Sequence, residues 1–197
     1  MIKLFNKWET TGIQAVDPGL KAYINLNPLY VPKTTGKNTV VRFWRAKTSI
    51  VERLMGKLMV PGHKGKKHKI TSFRNTGKGV KVYNIVFNTF NIIEAQLKKN
   101  PIEVFVKAVE NAAPREEVTT IEYGGAKYAQ AVEVAPQRRI DLTLRFMAQG
   151  AYQKNYAKKG KIEQALADEI MKAYKEDQGS NAIFKKLELE RQADASR

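Results

Sequence analysis

The stretch Asn100-Pro101-Ile102-Glu103-Val104-Phe105-Val106, followed by Val118-Thr119-Thr120-Ile121, Tyr123-Gly124-Gly125 and Ala131-Val132-Glu133-Val134, changes its hydrophobic period partway along. In its first part Asn100 is a helix-capping residue with Pro101 at the first helical position and Glu103 at the third. Ile102, Phe105, Val106 and Val109 then recur at helical spacing, and Pro114 closes the helix. Beyond it two β-branched runs flank Gly124-Gly125, the pattern of a β-hairpin over about residues 117–134. Its arms are half polar and a lone hairpin is marginal in water, so it either lies on the domain or projects to be held by a partner.

On either side of this stretch the period is helical. Upstream, Tyr83, Val86, Phe87, Phe90, Ile93 and Leu97 predict a long amphipathic helix from Val80 to Asn100. Before it, Ser49-Ile50-Val51-Glu52 matches the capping box and opens a helix through Leu54 and Leu58 that stops at Pro61-Gly62. Downstream, Pro136 starts a helix with Ile140, Leu144, Met147 and Ala151 inward, and Arg138, Arg145, Gln149 and Tyr152 on another stripe. Ala135 gives that helix no capping hydroxyl, a group typically worth ~1 kcal/mol. Ile162, Leu166, Ile170 and Ala173 predict the next helix, with Asp168 and Glu169 outside as solvated surface, and Gly179-Ser180 caps a last one. The expected fold is mainly α: a helical bundle of about six helices interrupted by one protruding β-hairpin. Residues 1–47 read as an irregular, turn-rich arm packing on a body formed by 48–197, with Leu20, Tyr23, Ile24 and Leu26 as a short docking turn. Phe43 and Trp44 are expected to pin the arm; stacking on a base or sugar is the alternative.

The net charge of +16 is unevenly spread. Residues 18–93 carry 15 Lys/Arg against one acid, Glu52, whereas 94–197 carry 18 bases and 16 acids. A segment this one-sided repels itself unless it faces a polyanion, and phosphate backbones, whose neutralisation releases counterions, are the usual one. An acidic membrane surface would require an amphipathic helix that the basic segment lacks. No apolar run reaches the ~18 residues of a membrane span, and no secretory leader is visible, so a cytoplasmic location is expected.

Six of these 15 cations, and no acid, fall in the glycine-punctuated loop 61–79, too long for an ordinary connection. It is not a nucleotide-phosphate loop: Gly77-Lys78 is followed by Gly79, and Ser72 stands where the pattern requires glycine. An active site is not expected. The two histidines, His63 and His68, sit among lysines, and the basic part offers no carboxylate cluster for metal-dependent nuclease chemistry. There is no cysteine, which excludes a thiol nucleophile and thiolate zinc sites. No cofactor is expected.

The chain resembles the ribosomal protein seven family of the small subunit, in its archaeal branch, over nearly all of residues 15–197. The resemblance rests on Tyr23-Ile24-Asn25-Leu26, Ile50-Val51-Glu52-Arg53-Leu54, Lys57-Leu58-Met59, Asn100-Pro101-Ile102 and Glu110-Asn111-Ala112-Ala113-Pro114-Arg115-Glu116-Glu117. It continues through Tyr123-Gly124-Gly125, Pro136-Gln137-Arg138-Arg139, Leu166-Ala167-Asp168-Glu169 and Leu189-Glu190-Arg191. The resemblance implies direct, early binding to the 3′ major domain of small-subunit ribosomal RNA and organisation of the head. It also implies neighbouring head and platform proteins as partners, with the hairpin near exit-site tRNA and the mRNA path. The sequence departs from the family at loop 61–79, which varies in length and content among members, and at Ala135, where relatives carry serine or arginine.

Folded RNA is read by shape, phosphates and unstacked bases, since its major groove is too narrow for side chains. The candidate contacts are Arg42 and Arg45 in the arm and Arg53 with Lys57 on the first body helix. Lys64, Lys66, Lys67, His68, Lys69, Arg74 and Lys78 follow in the loop, and Lys81 just after it. Arg115, Arg138, Arg139 and Arg145, with Lys158 and Lys159 in a later linker, complete the set; Tyr123, Gly124, Gly125, Lys127 and Tyr128 form the hairpin tip near tRNA and mRNA. Arginine forks suit register and lysines supply affinity; for Arg138 and Arg139 the alternative is pairing with nearby Glu or Asp. An RNA-modifying enzyme and a DNA-binding architectural protein are the competing readings.

Overall fold

The computed structural model describes residues 2–34, 40–62, 75–156 and 160–197. Its described elements are α1 (Pro18–Lys21), α2 (Ile50–Leu58), α3 (Gly79–Leu97), α4 (Pro101–Ala112), β1 (Glu116–Tyr123), β2 (Ala126–Glu133), α5 (Pro136–Asn155), α6 (Ile162–Tyr174) and α7 (Asn181–Asp194), with a 3₁₀ turn at Trp44–Lys47. The fold is thus mainly α with one antiparallel hairpin, as expected.

Helix α6 is the hub: α3, α4 and α5 all pack on it. Small residues make this possible, since Ala167 and Ala173 are fully buried beside Leu166 and Ile170 and let neighbouring helices approach closely. Phe90 of α3 and Phe105 of α4 meet in the same core with ring centroids 5.9 Å apart. Asn100 caps α4 through its side-chain oxygen, which accepts from the Ile102 N–H at 3.0 Å. Ser180 caps α7 in the same way.

Two local expectations give way to tertiary partners. Ser49 makes no side-chain cap to α2; the Asn25 carbonyl accepts the Ile50 N–H instead, at 3.1 Å. Glu52, freed from the capping box, reaches the arm, where Oε1 accepts from the N–H and hydroxyl of Thr34 at 2.7 and 2.9 Å. A carboxylate with two hydrogen bonds to the arm outweighs a local cap worth about 1 kcal/mol.

Likewise Phe43 and Trp44 do not pin the arm. Phe43 is 78% exposed and Trp44 38%. The anchoring aromatics are Phe5 and Trp8, both buried against α3, with Phe5 4.8 Å from the Tyr83 ring and Trp8 5.7 Å from Phe90.

Glu169 is the third correction. It faces inward, fully buried, while its neighbour Asp168 is exposed. Its carboxylate pairs with Lys154 Nζ at 2.5 Å and accepts from Ser180 Oγ at 2.7 Å and the Ala182 N–H at 3.0 Å. It thereby ties α5, α6 and the start of α7 together. Gly150 makes room for it: a Cβ there would lie 2.7 Å from Asn181 Cβ and 3.0 Å from Glu169 Cδ.

In the hairpin, Ile121 faces Tyr128 and Glu122 faces Lys127. Gly124 and Gly125 have φ of 54° and 84°, the two left-handed positions of a tight type I′-like turn. The base is held by α7 and by ion pairs, Arg138 to Glu117 and Arg197 to Glu116. From Thr119 outward nearly every residue is exposed on both faces, including Tyr123 and Tyr128.

Candidate nucleic-acid interface

The exposed cations of the arm, α2 and α5 collect around two adjoining clefts. The first, of about 580 Å³, lies between the 3₁₀ turn, α2 and the start of α5, with Arg42, Phe43, Arg45, Arg53, Lys57 and Asp141 in its lining. The second, of about 1000 Å³, runs between α2, α5 and α7 and is lined by Lys57, Val60, Arg145, Phe184 and Lys185, among others. Gly56 and Lys57 belong to both, so the exposed edge of α2 is the ridge between them.

Asp141 of α5 organises the first cleft. Arg45, Arg53 and Lys57 approach its carboxylate at 3.5, 3.5 and 3.7 Å. These separations exceed the ~2.8 Å of a tight charge-assisted bond, and one carboxylate cannot neutralise three cations. Burial pushes the Lys57 ammonium down; Asp141 holds it up, and the charges of Arg145, Arg45 and Arg53 push it further down. The site therefore has surplus positive charge, which favours a further anion.

Arg53, expected at the surface, points inward: its side chain is 3% exposed, with Nη1 on the Tyr23 carbonyl at 3.0 Å. Burial lowers the pKa of its guanidinium, and Asp141 opposes that. It supports the cleft from behind, and the exposed cations in front of it are Arg42 and Arg45.

The remaining candidates sit elsewhere. Lys78 and Lys81 are exposed at the start of α3. Arg115 and Arg139 line a separate cleft with Asp17, Glu110 and Lys186. There Arg139 pairs with Asp17 at 2.8 Å and donates to the Pro114 carbonyl. Arg138 is bidentate to Glu117 at 2.6 and 2.8 Å, and that hydrogen bonding raises its pKa. Both arginines thus make the intramolecular pairs that were the alternative to RNA contact. Lys64, Lys66, Lys67, His68, Lys69 and Arg74, with Lys158 and Lys159, lie outside the described residues. Sequence reasoning missed Asp141, which no local signal marks, and Phe184 and Lys185 at the start of α7, where an aromatic beside two consecutive lysines, Lys185-Lys186, was the available signal.

Among the described residues no group of His, Asp and Glu is placed to hold a metal ion, and no helix is long and apolar enough to cross a membrane.

The sequence model described as "Ribosomal protein S7p/S5e" matches residues 29–197. The chain is 52% identical to the small ribosomal subunit protein uS7 of Nanoarchaeum equitans, across 100% of this chain and 99% of the relative. It is 47% identical to the uS7 protein of Methanosphaera stadtmanae, covering 97% of this chain and 96% of the relative. The corresponding protein of Methanococcus aeolicus is 46% identical, at 100% and 99% coverage. The chain belongs to the ribosomal protein S7p/S5e family, in its archaeal branch, and is a structural component of the small ribosomal subunit rather than an enzyme.

Proposed function

We propose that the protein binds small-subunit ribosomal RNA directly, in its 3′ major domain, through the face that carries the two cationic clefts, and that this binding organises the head. The observation that carries this reading is the convergence of Arg42, Arg45, Lys57 and Arg145 on adjoining clefts, with one poorly shared carboxylate among them. Curved, cation-lined surfaces with exposed aromatics match the phosphates and unstacked bases of folded RNA better than the regular groove of duplex DNA. Arg138 and Arg139 act mainly by bracing the hairpin base and the arm.

The hairpin carries a different chemistry. Its outer part has the facing pair Glu122 and Lys127 and the exposed Tyr123 and Tyr128, so its tip is nearly neutral and aromatic. Such an element suits contact with neighbouring head and platform proteins and with exit-site tRNA and mRNA, and contributes little to bulk phosphate attraction.

Chemical footprinting of the full-length protein on small-subunit RNA tests this directly. Protection confined to the 3′ major domain, resistant to competing duplex DNA, is the expected result. Equal competition by duplex DNA would mark a general architectural binder instead.

A further inference from the structure

We propose that the first cleft seats one unpaired RNA nucleotide, its base stacked on Phe43 and its phosphate held by Arg45 and Lys57; this rests on the RNA-binding reading above.

Phe43 has a φ of 67°. A bulky side chain in the left-handed region is a strained outlier that persists where something requires it. Nothing in the core does, because the ring is 78% exposed at the mouth of the cleft. Arg42 lies over the ring at 5.1 Å, and a large part of the aromatic surface remains open. A cation beside an exposed ring is the arrangement that stacks single bases. Behind it the cleft is of small-molecule size, which accommodates one nucleotide and not a duplex.

The phosphate end is equally specific. Arg45 is 61% exposed and stands 3.5 Å from Asp141, so its fork has donors to spare. Lys57 is 3.7 Å from the same carboxylate. Deeper in, Arg53 Nε is buried without a hydrogen-bond partner, an unmet donor that adds to the attraction for an anion. Asp141 gathers Arg45, Arg53 and Lys57 within 3.5–3.7 Å of its carboxylate, and its single charge leaves the three cations a surplus for a phosphate. A paired base offers no free π-face, so the site selects a bulged or looped nucleotide.

The test uses the full-length protein and a transcript of the 3′ major domain, with affinity measured across a range of salt. Phe43→Ala and Phe43→Gly should each weaken binding about 10-fold or more, as loss of one base–aromatic stack does. Their salt slopes should run parallel to wild type, because a stack carries no net charge. Phe43→Trp should restore affinity. The glycine variant also relieves the backbone strain, and far-ultraviolet circular dichroism with a urea midpoint at or above that of the wild type shows that its loss of affinity does not come from unfolding. Wild-type affinity in Phe43→Ala, on a transcript that the wild type binds in preference to duplex DNA, overturns this inference and leaves the RNA-binding reading standing. No such preference in the wild type overturns both.

Discussion

Replacing Glu169 by Ala should destabilise the protein by about 3 kcal/mol. The carboxylate is fully buried and holds Lys154, Ser180 Oγ and the Ala182 N–H. Breaking a buried pair from one side usually costs about 3–5 kcal/mol. Two features place this case at the lower end. The Lys154 side chain is 36% exposed and can rehydrate, and the Ala182 N–H retains Ser180 Oγ at 3.2 Å. Glu169→Gln keeps an acceptor oxygen for Ser180 Oγ and the Ala182 N–H but loses both the charge and the oxygen that accepts from Lys154, which can rehydrate, so about 1–2 kcal/mol is expected. Asp168→Ala, one residue away and exposed, should change stability by less than about 0.5 kcal/mol. Urea unfolding followed by far-ultraviolet circular dichroism separates the three. With a slope of about 3 kcal/mol per molar for a chain of this size, Glu169→Ala should move the midpoint down by about 1 M. If Glu169→Ala and Asp168→Ala had the same midpoint, the view of Glu169 as the tie between α5, α6 and α7 would be wrong.

Ala135→Ser should raise stability by about 1 kcal/mol, because Ala135 is an exposed, uncapped helix start with extended backbone; a thermal melt checks this. Asp17 gives a pH signature. Burial pushes its carboxyl up, but the Arg139 hydrogen bond, the Gly19 N–H and the charges of Arg139 and Arg115 outweigh this and leave it below the ordinary value. Its contribution is therefore complete above about pH 4 and lost as pH falls through the lowered folded value. Asp17→Asn, which can still cap α1, should be less stable than wild type at neutral pH, with the gap in urea midpoint closing in acid. Gly56→Ala should stabilise the free protein by up to about 1 kcal/mol, since a Cβ there meets nothing within 4 Å in the middle of a helix. The same change should weaken RNA binding, because Gly56 lies on the ridge between the clefts; a gain in both quantities would remove α2 from the contact surface.

Much of the fold was legible because its signals are local. Asn100-Pro101 fixed the start of α4, and Gly124-Gly125 with β-branched flanks fixed the hairpin. What was misread depended on distant partners. Ser49 and Glu52 have the capping-box pattern, yet Asn25 and Thr34 supply competing bonds that no short window contains. Asp168 and Glu169 look alike in sequence, and only the placement of Lys154 and Ser180 decides which is buried. Phe43-Trp44 looked like an anchor because aromatics usually are; Phe5 and Trp8 already fill the groove on α3. In the candidate site, composition pointed to the part of the chain that lines the first cationic cleft with Arg42, Arg45, Arg53 and Lys57, but not to the division of labour among them. Arg53 and Asp141 are 88 residues apart, and their pairing turns an apparent surface contact into a buried support. The exposure of Arg42 and Arg45, by contrast, was legible, since the basic segment holds one acid, Glu52, for its 15 cations.

The central claim is that the clefts along α2 and α5 face RNA phosphates. It is tested most directly by the salt dependence of binding to the 3′ major domain when Arg42, Arg45, Lys57 and Arg145 are all replaced by Ala. Each lost phosphate contact lowers the slope by a little under one, so the account predicts a slope shallower by roughly 3 with the helical content retained. An unchanged slope in a folded variant would place the RNA on another face and contradict it.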